Sequence, residues 1–490
     1  MPNWNQNPNV QALVTLAAGN DDVLGKVWAK KLDVATTTSD DFKMLEGPPG
    51  SAKPVWKNTD LTAVPGEAIV VSVLSAPGGP GVRGEQPLLG SESTFRIGAY
   101  RVPIEFWRDA VTLTKSQIKK LAMGPKLRPT ILEEVGKKLG RQKQRDMMLK
   151  LIMTARAQGN LMRPNNRSSG DTIVSADTLT LSLLVQAKTM LQSRGGQPIS
   201  IQTDKNGSPV YRYMPFCTLN ALQPVRDSDT YQNALGLAME RGYDNPLFSG
   251  KLVPWQNLEM FEHTPVIADA DDVQGSPLEP LALLGVAVSA GSTSFAVHAS
   301  ATAENETTPF YFIDFPGYPL TFADTDVAPA PDTATYYFWI YNPPTSTVNP
   351  GLAGFFSYTG SANLGTYISG VTGILNSYVS GLANTTVGGV TWDPTKHCTS
   401  FGPGAYIVPA YKTGAPRGYS LVFGAGGAFR TYGEMTALPI EMKQDYDFVQ
   451  GFGYESVWGQ GARVDTKGYP RHYMLIEQCI QREGIPVPGN

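Results

Sequence analysis

The stretch RPTILEEVGKKLGRQKQRDMMLKLIMTARA, residues 128–157, decides how the rest of the chain is read. Pro129 suits a first helical position, because its fixed φ fits the helix and its missing N–H would be unpaired there anyway. Ile131, Leu132, Val135 and Leu139 recur at helical spacing, and Lys137, Lys138, Arg141 and Lys143 are read as falling largely off that stripe. From Met147 to Met153 the run is apolar almost all round, which predicts a deeply packed second half. With a rise of ~1.5 Å per residue the element is ~40 Å long, far beyond the mean helix of ~12 residues. Two β-rich runs precede it, and a mixed region with a large Gly/Thr/Ser-rich block follows. A long hairpin, one spine helix and a compact mixed part form the plan of an assembly subunit.

Upstream, residues 1–60 read as an extended N-terminal arm with little core of its own, carrying helix candidates at Val10–Ala18 and Asp21–Leu32. Glu67–Leu74 is a β run. Thr94–Thr114 is a second, bent at Pro103, so residues 61–114 make an extended hairpin joined by a Gly/Pro-rich tip. A two-stranded hairpin is marginal alone in water and needs a partner. The tip residues Arg83, Glu85, Leu88 and Leu89 are the candidate contacts to a neighbour. Gly78–Gly84 lacks the Gly-Lys-Ser/Thr ending of a phosphate loop and reads as a flexible tip.

Downstream, Ala176–Ser193 is an amphipathic helix stopped by Gly195–Gly196. Val210–Asn220 reads as a strand, Ser228–Arg241 as a helix and Leu258–Phe261 as a strand, so a small mixed sheet with helices is expected. Residues 268–414 differ in composition, with β runs such as Ser294–Ala299, Phe310–Phe315 and Ala334–Tyr341 between turn-rich clusters; they read as a separately folded β-rich insertion. Gly418–Gly433 reads as strand then helix, and Gln450–Trp458, Arg463–Asp465 and His472–Cys479 as closing strands. The expected class is α+β.

Of 490 residues, 17% are charged and 10% aromatic, and low charge with many aromatics suits a protein that covers its surface with copies of itself. The net charge of −3 conceals a segregation. Twelve Lys/Arg face three acids between Lys115 and Arg156, whereas eleven acids and no bases lie between Asp269 and Asp393. Two regions of opposite sign imply different surroundings. The three cysteines, Cys217, Cys398 and Cys479, form no disulfide or metal pattern and fit a reducing cytosol. No signal peptide and no run approaching a membrane span of ~18 residues is read.

Motifs for chemistry are weak. VFGAGGAFRTYG follows a strand as a dinucleotide fingerprint would, but Phe429 stands where the third small residue belongs, so close packing is the reading. Asp269, Asp271 and Asp272 precede Gly275 as in a calcium loop, but Pro280 occupies the bidentate Glu position. His263, His298, His397 and His472 are scattered without a zinc spacing. No cofactor, metal or catalytic residue is expected. Lys137, Lys138, Arg141 and Lys143 form a candidate basic face, either a nonspecific phosphate surface or a solvated helix face.

The order of parts resembles the major capsid proteins of tailed bacteriophages with the Hong Kong 97-type fold, and most closely those of the podovirus-like "N-four" group. Gly66–Gly98, Lys137–Met153, Arg241–His263, Tyr419–Glu434 and Gln444–Val464 carry the likeness, over about two thirds of the chain in pieces. The resemblance implies an N-terminal arm (1–60), an extended hairpin (61–114), a peripheral domain with the spine helix (115–175, closed by strands from 446–490) and an axial domain (176–267 and 415–445). The block 268–414 departs from it. It implies a non-enzymatic virion protein, made in the bacterial cytoplasm, that assembles with itself into pentamers and hexamers around nonspecifically held double-stranded DNA. Scaffold, portal and decoration proteins are the further partners, and no membrane is involved. Family members that crosslink use a hairpin lysine; Pro77–Ser93 contains none, so that chemistry is not expected. The alternatives are a tail-tube or baseplate protein and a β-rich carbohydrate-active enzyme or adhesin that uses 268–414 as its binding module.

Overall fold

A computed structural model of the chain describes residues 39–59, 68–74, 97–114, 127–203, 209–233, 257–263, 276–279, 282–283, 335–344, 353–359, 386–387, 390–391, 401–402, 405–411, 413–432, 438–444, 449–465 and 468–481, with a few isolated positions between them. The chain divides into two compact units. One holds residues 1–147 and 428–467, the other 148–427 and 468–490.

The first unit is organised on the long strand Val449–Ala462. Along one edge it pairs antiparallel with Glu105–Thr114, from Trp458↔Glu105 to Val449↔Thr114. Its other edge is shared by Leu438–Gln444 and Ala428–Tyr432. Val55–Asn58 then pairs parallel to Ala428–Tyr432, and Glu46–Gly47 parallel to Val55–Asn58, giving six strands. Gly459 lets the chain just before Glu105 approach this sheet closely, because a Cβ there would lie 2.2 Å from the Pro103 carbonyl oxygen. The hairpin stems are also present: Ala68–Leu74 pairs antiparallel with Ile97–Pro103, and the chain breaks at Ile104 before entering the sheet. The expected bend at Pro103 is therefore the point where a free ribbon becomes a sheet strand.

The spine helix runs Leu127–Ala157. Leu132, Val135, Leu139, Met147, Met148, Leu151, Ile152 and Ala155 are buried, a single stripe at helical spacing. The second half is not buried all round as expected: Leu149 is half-buried and Met153 is 45% exposed. In the first unit Val135 and Leu139 pack with Tyr432, Tyr454 and Trp458.

The described part of the expected arm is built into this unit. Phe42 and Val55 are fully buried, so residues 39–58 contribute core rather than hanging free. Both arm helix candidates and the hairpin tip lie outside the described residues.

The second unit carries a five-stranded sheet in the order Phe261–His263, Met214–Thr218, Arg417–Phe423, Tyr473–Cys479 and Leu161–Met162. Leu181–Ser193 and Leu219–Arg226 are helices whose Leu184, Ala187, Leu191, Leu222 and Val225 pack with Val422, Met474 and Ile476 of that sheet. The Thr180 hydroxyl caps the first of them by accepting from the Leu183 N–H at 3.3 Å. Val210–Asn220 is not one strand, as expected: it splits into Pro209–Arg212 and Met214–Thr218, and Leu219 already begins a helix. Of the helix expected at Ser228–Arg241, residues 229–233 are helical and the remainder lies outside the described residues. Around Leu258, which makes a single bridge to Tyr213, the strand is Phe261–His263.

A second sheet of this unit joins Ala282–Leu283, Tyr406–Ala410, Thr335–Tyr341 and Ala353–Thr359, all antiparallel. It is the described core of the block 268–414, and its C-terminal end is tied into the same unit. Trp339 Nε1 donates to the Gly414 carbonyl at 2.7 Å, and the Tyr411 hydroxyl to that of Gln478 at 3.3 Å. Tyr411 and Ala415 pack with Ile173 and Cys479. Two expectations are corrected here. Ala428–Tyr432 is a strand and not a helix. The closing strands do not stay together, since Val449–Ala462 lies in the first unit and Tyr473–Cys479 is an interior strand of the second.

Candidate assembly and nucleic-acid surfaces

The ribbon is the first candidate surface. Strand alternation sends Val102 inward, while Val70 is 61% and Ile97 is 74% exposed. Large β-branched side chains standing in water on a two-stranded ribbon are poorly accounted for by the subunit alone. The adjoining strand adds Phe106, 54% exposed, with the Arg108 guanidinium 4.5 Å from its ring centroid. On the opposite face Trp107 stacks on Trp458 and anchors the strand. Arg83, Glu85, Leu88 and Leu89, the tip contacts expected from sequence, lie outside the described residues.

The basic face of the spine helix is the second. Lys137 is ion-paired with Glu133 at 3.1 Å and Glu134 at 2.8 Å, one turn back on its own helix. Hydrogen bonds to Glu134 and then Glu133 hold its ammonium above the usual lysine range. Lys138 and Arg141 are half-buried beside it. Lys143 does not belong to this face. It is 5% exposed and lies four residues from both Leu139 and Met147, on the buried stripe, so its expected place on the basic face is corrected.

Lys143 instead enters a polar cluster that composition and motif did not reveal. Its centre is Arg430, fully buried in the strand Ala428–Tyr432. Arg430 Nη1 donates to Asp40 Oδ2 at 2.5 Å and to Glu46 Oε1 at 2.8 Å, and Nε donates to Gln460 Oε1 at 2.9 Å. Tyr432 donates to Glu46 at 2.6 Å, and Gln460 Nε2 to the Lys143 carbonyl at 2.7 Å. Burial works against the guanidinium, but Asp40, Tyr432 and Glu46 keep it charged well above its ordinary range. Glu46 is likewise opposed by burial yet held below the usual carboxylate range by Arg430 and Lys43. The cluster thus fastens residues 40–46 to the sheet and the helix by charge. A signal was present in the spacing: a lysine at i+4 from Leu139 points where Leu139 points.

The Gly424–Gly427 run is a turn between two strands, with Gly426 at φ +65°. A Cβ on Gly424 would lie 2.4 Å from the Gln197 carbonyl oxygen, so the glycine permits close packing. No helix N-terminus follows to receive a phosphate. Cys217 and Cys479 are buried, and burial pushes both thiols up to about 12, which leaves them unreactive. Among the described residues no three His, Cys, Asp or Glu side chains come together as a metal site, and no helix is long and apolar enough to cross a membrane.

No protein-family model matches the sequence, and no curated protein matches it. Solved structures do. The chain is similar to the capsid of cyanophage Pam1, at 11% identity, with 92% of each chain covered and a TM-score of 0.52. It is similar to the head protein of Helicobacter pylori bacteriophage KHP40, at 8% identity over 90% of this chain and 91% of that one, with a TM-score of 0.51. The capsid of Ralstonia phage GP4 matches at 12% identity over 90% and 92%, with a TM-score of 0.50. At these identities the likeness is one of architecture, and the chain has the Hong Kong 97-type capsid fold.

Proposed function

We propose that this chain is the major capsid protein of a tailed bacteriophage, a structural subunit that self-assembles into the capsomers of an icosahedral head. The observation that carries the reading is correspondence along the whole length. The match covers about nine-tenths of this chain and of each capsid structure. The exposed apolar ribbon supports it, because Val70 and Ile97 gain burial only against another surface, here a second copy of the chain.

In this reading the particle is assembled in the bacterial cytoplasm and encloses double-stranded DNA held without sequence preference. Lys137, Lys138 and Arg141 supply the facing cations, and Lys143 takes no part. Portal, scaffold and decoration proteins are the further partners, and Arg83, Glu85, Leu88 and Leu89 touch the neighbouring subunit. The functional division is an arm, a hairpin, a peripheral domain and an axial domain. The block 268–414 is an accessory β-rich elaboration on the outer surface, where eleven acids without a base between Asp269 and Asp393 are kept away from packaged phosphate. Membership of the podovirus-like "N-four" group is the finer assignment, resting on the segment likenesses alone. Negative-stain microscopy of the purified chain tests the function: closed shells support it, and a monodisperse monomer that hydrolyses polysaccharide overturns it.

A further inference from the structure

The feature that assembly leaves unused is the ammonium of Lys143. Among the described residues its Nζ meets two aromatic faces and no carboxylate: it lies 4.7 Å from the Trp458 ring centroid and 5.4 Å from that of Tyr432. Both carboxylates at the centre of the cluster, Asp40 and Glu46, are engaged by Arg430. The cation–π attraction of a lysine sealed against ring faces is small beside the desolvation of its charge.

We propose that Lys143 is the proton-sensitive element of a latch that fastens residues 40–46 to the sheet and spine helix, tight when its amine is neutral and loosened when it is charged. The elements packed around it supply few counter-charges. From the fastened segment come Asp40, Asp41, Lys43 and Glu46; Gln144 of the helix donates to Asp41 at 2.7 Å. Lys43 pairs with Glu46 at 3.5 Å. From Val55–Asn58 comes Lys57, another cation, 5.0 Å from the Tyr432 ring centroid. The helix adds Asp146, which accepts from Gln460 at 2.8 Å, and the strand Ala428–Tyr432 adds Arg430 and Tyr432. The two carboxylates whose field reaches Lys143, Asp40 and Glu46, are thus already paired with Arg430 and Lys43.

Burial first, and the Arg430 charge second, push the Lys143 ammonium down to about 7 against the opposing pull of Asp40 and Glu46. When the segment opens, Lys143 regains water and an ordinary lysine pKa of 10.5, so opening takes up a proton at any pH between these values. The closed latch therefore gains stability as pH rises from about 7 toward 10.5, and below 7 the contribution levels off because both states carry the proton. Asp40, raised by its burial, and Glu46, lowered, bear on the acid side, so the alkaline window isolates Lys143.

Hydrogen exchange of the full-length chain, followed on the peptide holding the Lys43, Leu45 and Val55 amides and corrected for intrinsic exchange, reads the latch. Those amides donate to Asp40, Phe42 and Leu45 carbonyls respectively. Protection should rise by about 50-fold between pH 7 and pH 9, from the two pKa values above. K143M should give high protection without that slope, and K143R, always charged, low protection without it. A flat wild-type profile, or the wild-type slope persisting in both variants, overturns the proposal.

Discussion

Trp107 and Trp458 stack with ring centroids 5.0 Å apart and planes 14° from parallel, which joins the strand leaving the hairpin to the longest strand of the sheet. The ribbon is therefore rooted on the sheet, although among the described residues its own two strands share no third. A stiff root with an apolar, exposed shaft is what a contact arm between subunits requires.

Replacing Trp107 with Ala removes this stack and part of the cluster with Val135 and Leu139. The expected loss is about 2–4 kcal/mol, below the full cost of a wholly buried Trp because Trp107 is only half-buried. Urea unfolding of the purified subunit measures it. A change within ~0.5 kcal/mol would mean that the strand is held by its ladder alone.

Arg430→Met leaves the buried Asp40 without its cation and Glu46 with Lys43 alone. Breaking a buried pair on one side costs about 3–5 kcal/mol, so the variant should unfold early. The double variant with Asp40→Asn should be less harmful than the two single losses added, since one orphaned charge is removed with the other. Strict additivity in that cycle would show the pair to be energetically uncoupled.

The tip deletion separates folding from assembly. Replacing Ala76–Gly90 with a short Gly/Ser turn should leave the melting curve of the subunit nearly unchanged, because the sheet and both cores lie elsewhere. Shell formation, followed by light scattering, should fail. Normal shells from this variant would remove the intersubunit role of Arg83, Glu85, Leu88 and Leu89.

Charge reversal tests whether Lys137, Lys138 and Arg141 face packaged DNA. Lys137, Lys138 and Arg141 changed to Glu alter ~6 charge units per subunit, and DNA retention should become markedly more sensitive to salt. Lys143 is left out because it is buried. Unchanged packaging and retention in intact particles would make this a solvated face, with Lys137 serving Glu133 and Glu134 alone.

Antibodies against residues 268–414 should decorate intact, DNA-filled particles. Density for the block on the inner wall would contradict its outward placement and show that local charge does not set sidedness here.

The elements legible in the sequence were those whose pattern is local. Leu132, Val135 and Leu139 mark a helix face by spacing, and Ala68–Leu74 and Ile97–Pro103 carry β composition next to turn residues. Ala428–Tyr432 does not look like a strand in the sequence because it is buried on both faces and so shows no alternation, and a glycine-rich turn before it imitates a helix start. Leu219–Arg226 was hidden by its eight-residue length and by Pro224 inside it. The polar cluster was illegible for another reason. Asp40 and Glu46 meet Arg430 across 390 and 384 residues, and no local period records such a pairing. Lys143 takes a position on the buried stripe that its residue type alone does not announce.

Cryo-electron microscopy of particles formed by the full-length chain tests the central claim most directly. The account predicts closed icosahedral shells in which the ribbon of each subunit, with Val70 and Ile97, lies buried on a neighbouring copy. A chain that stays monomeric, or shells in which that ribbon stands free in solvent, would contradict it.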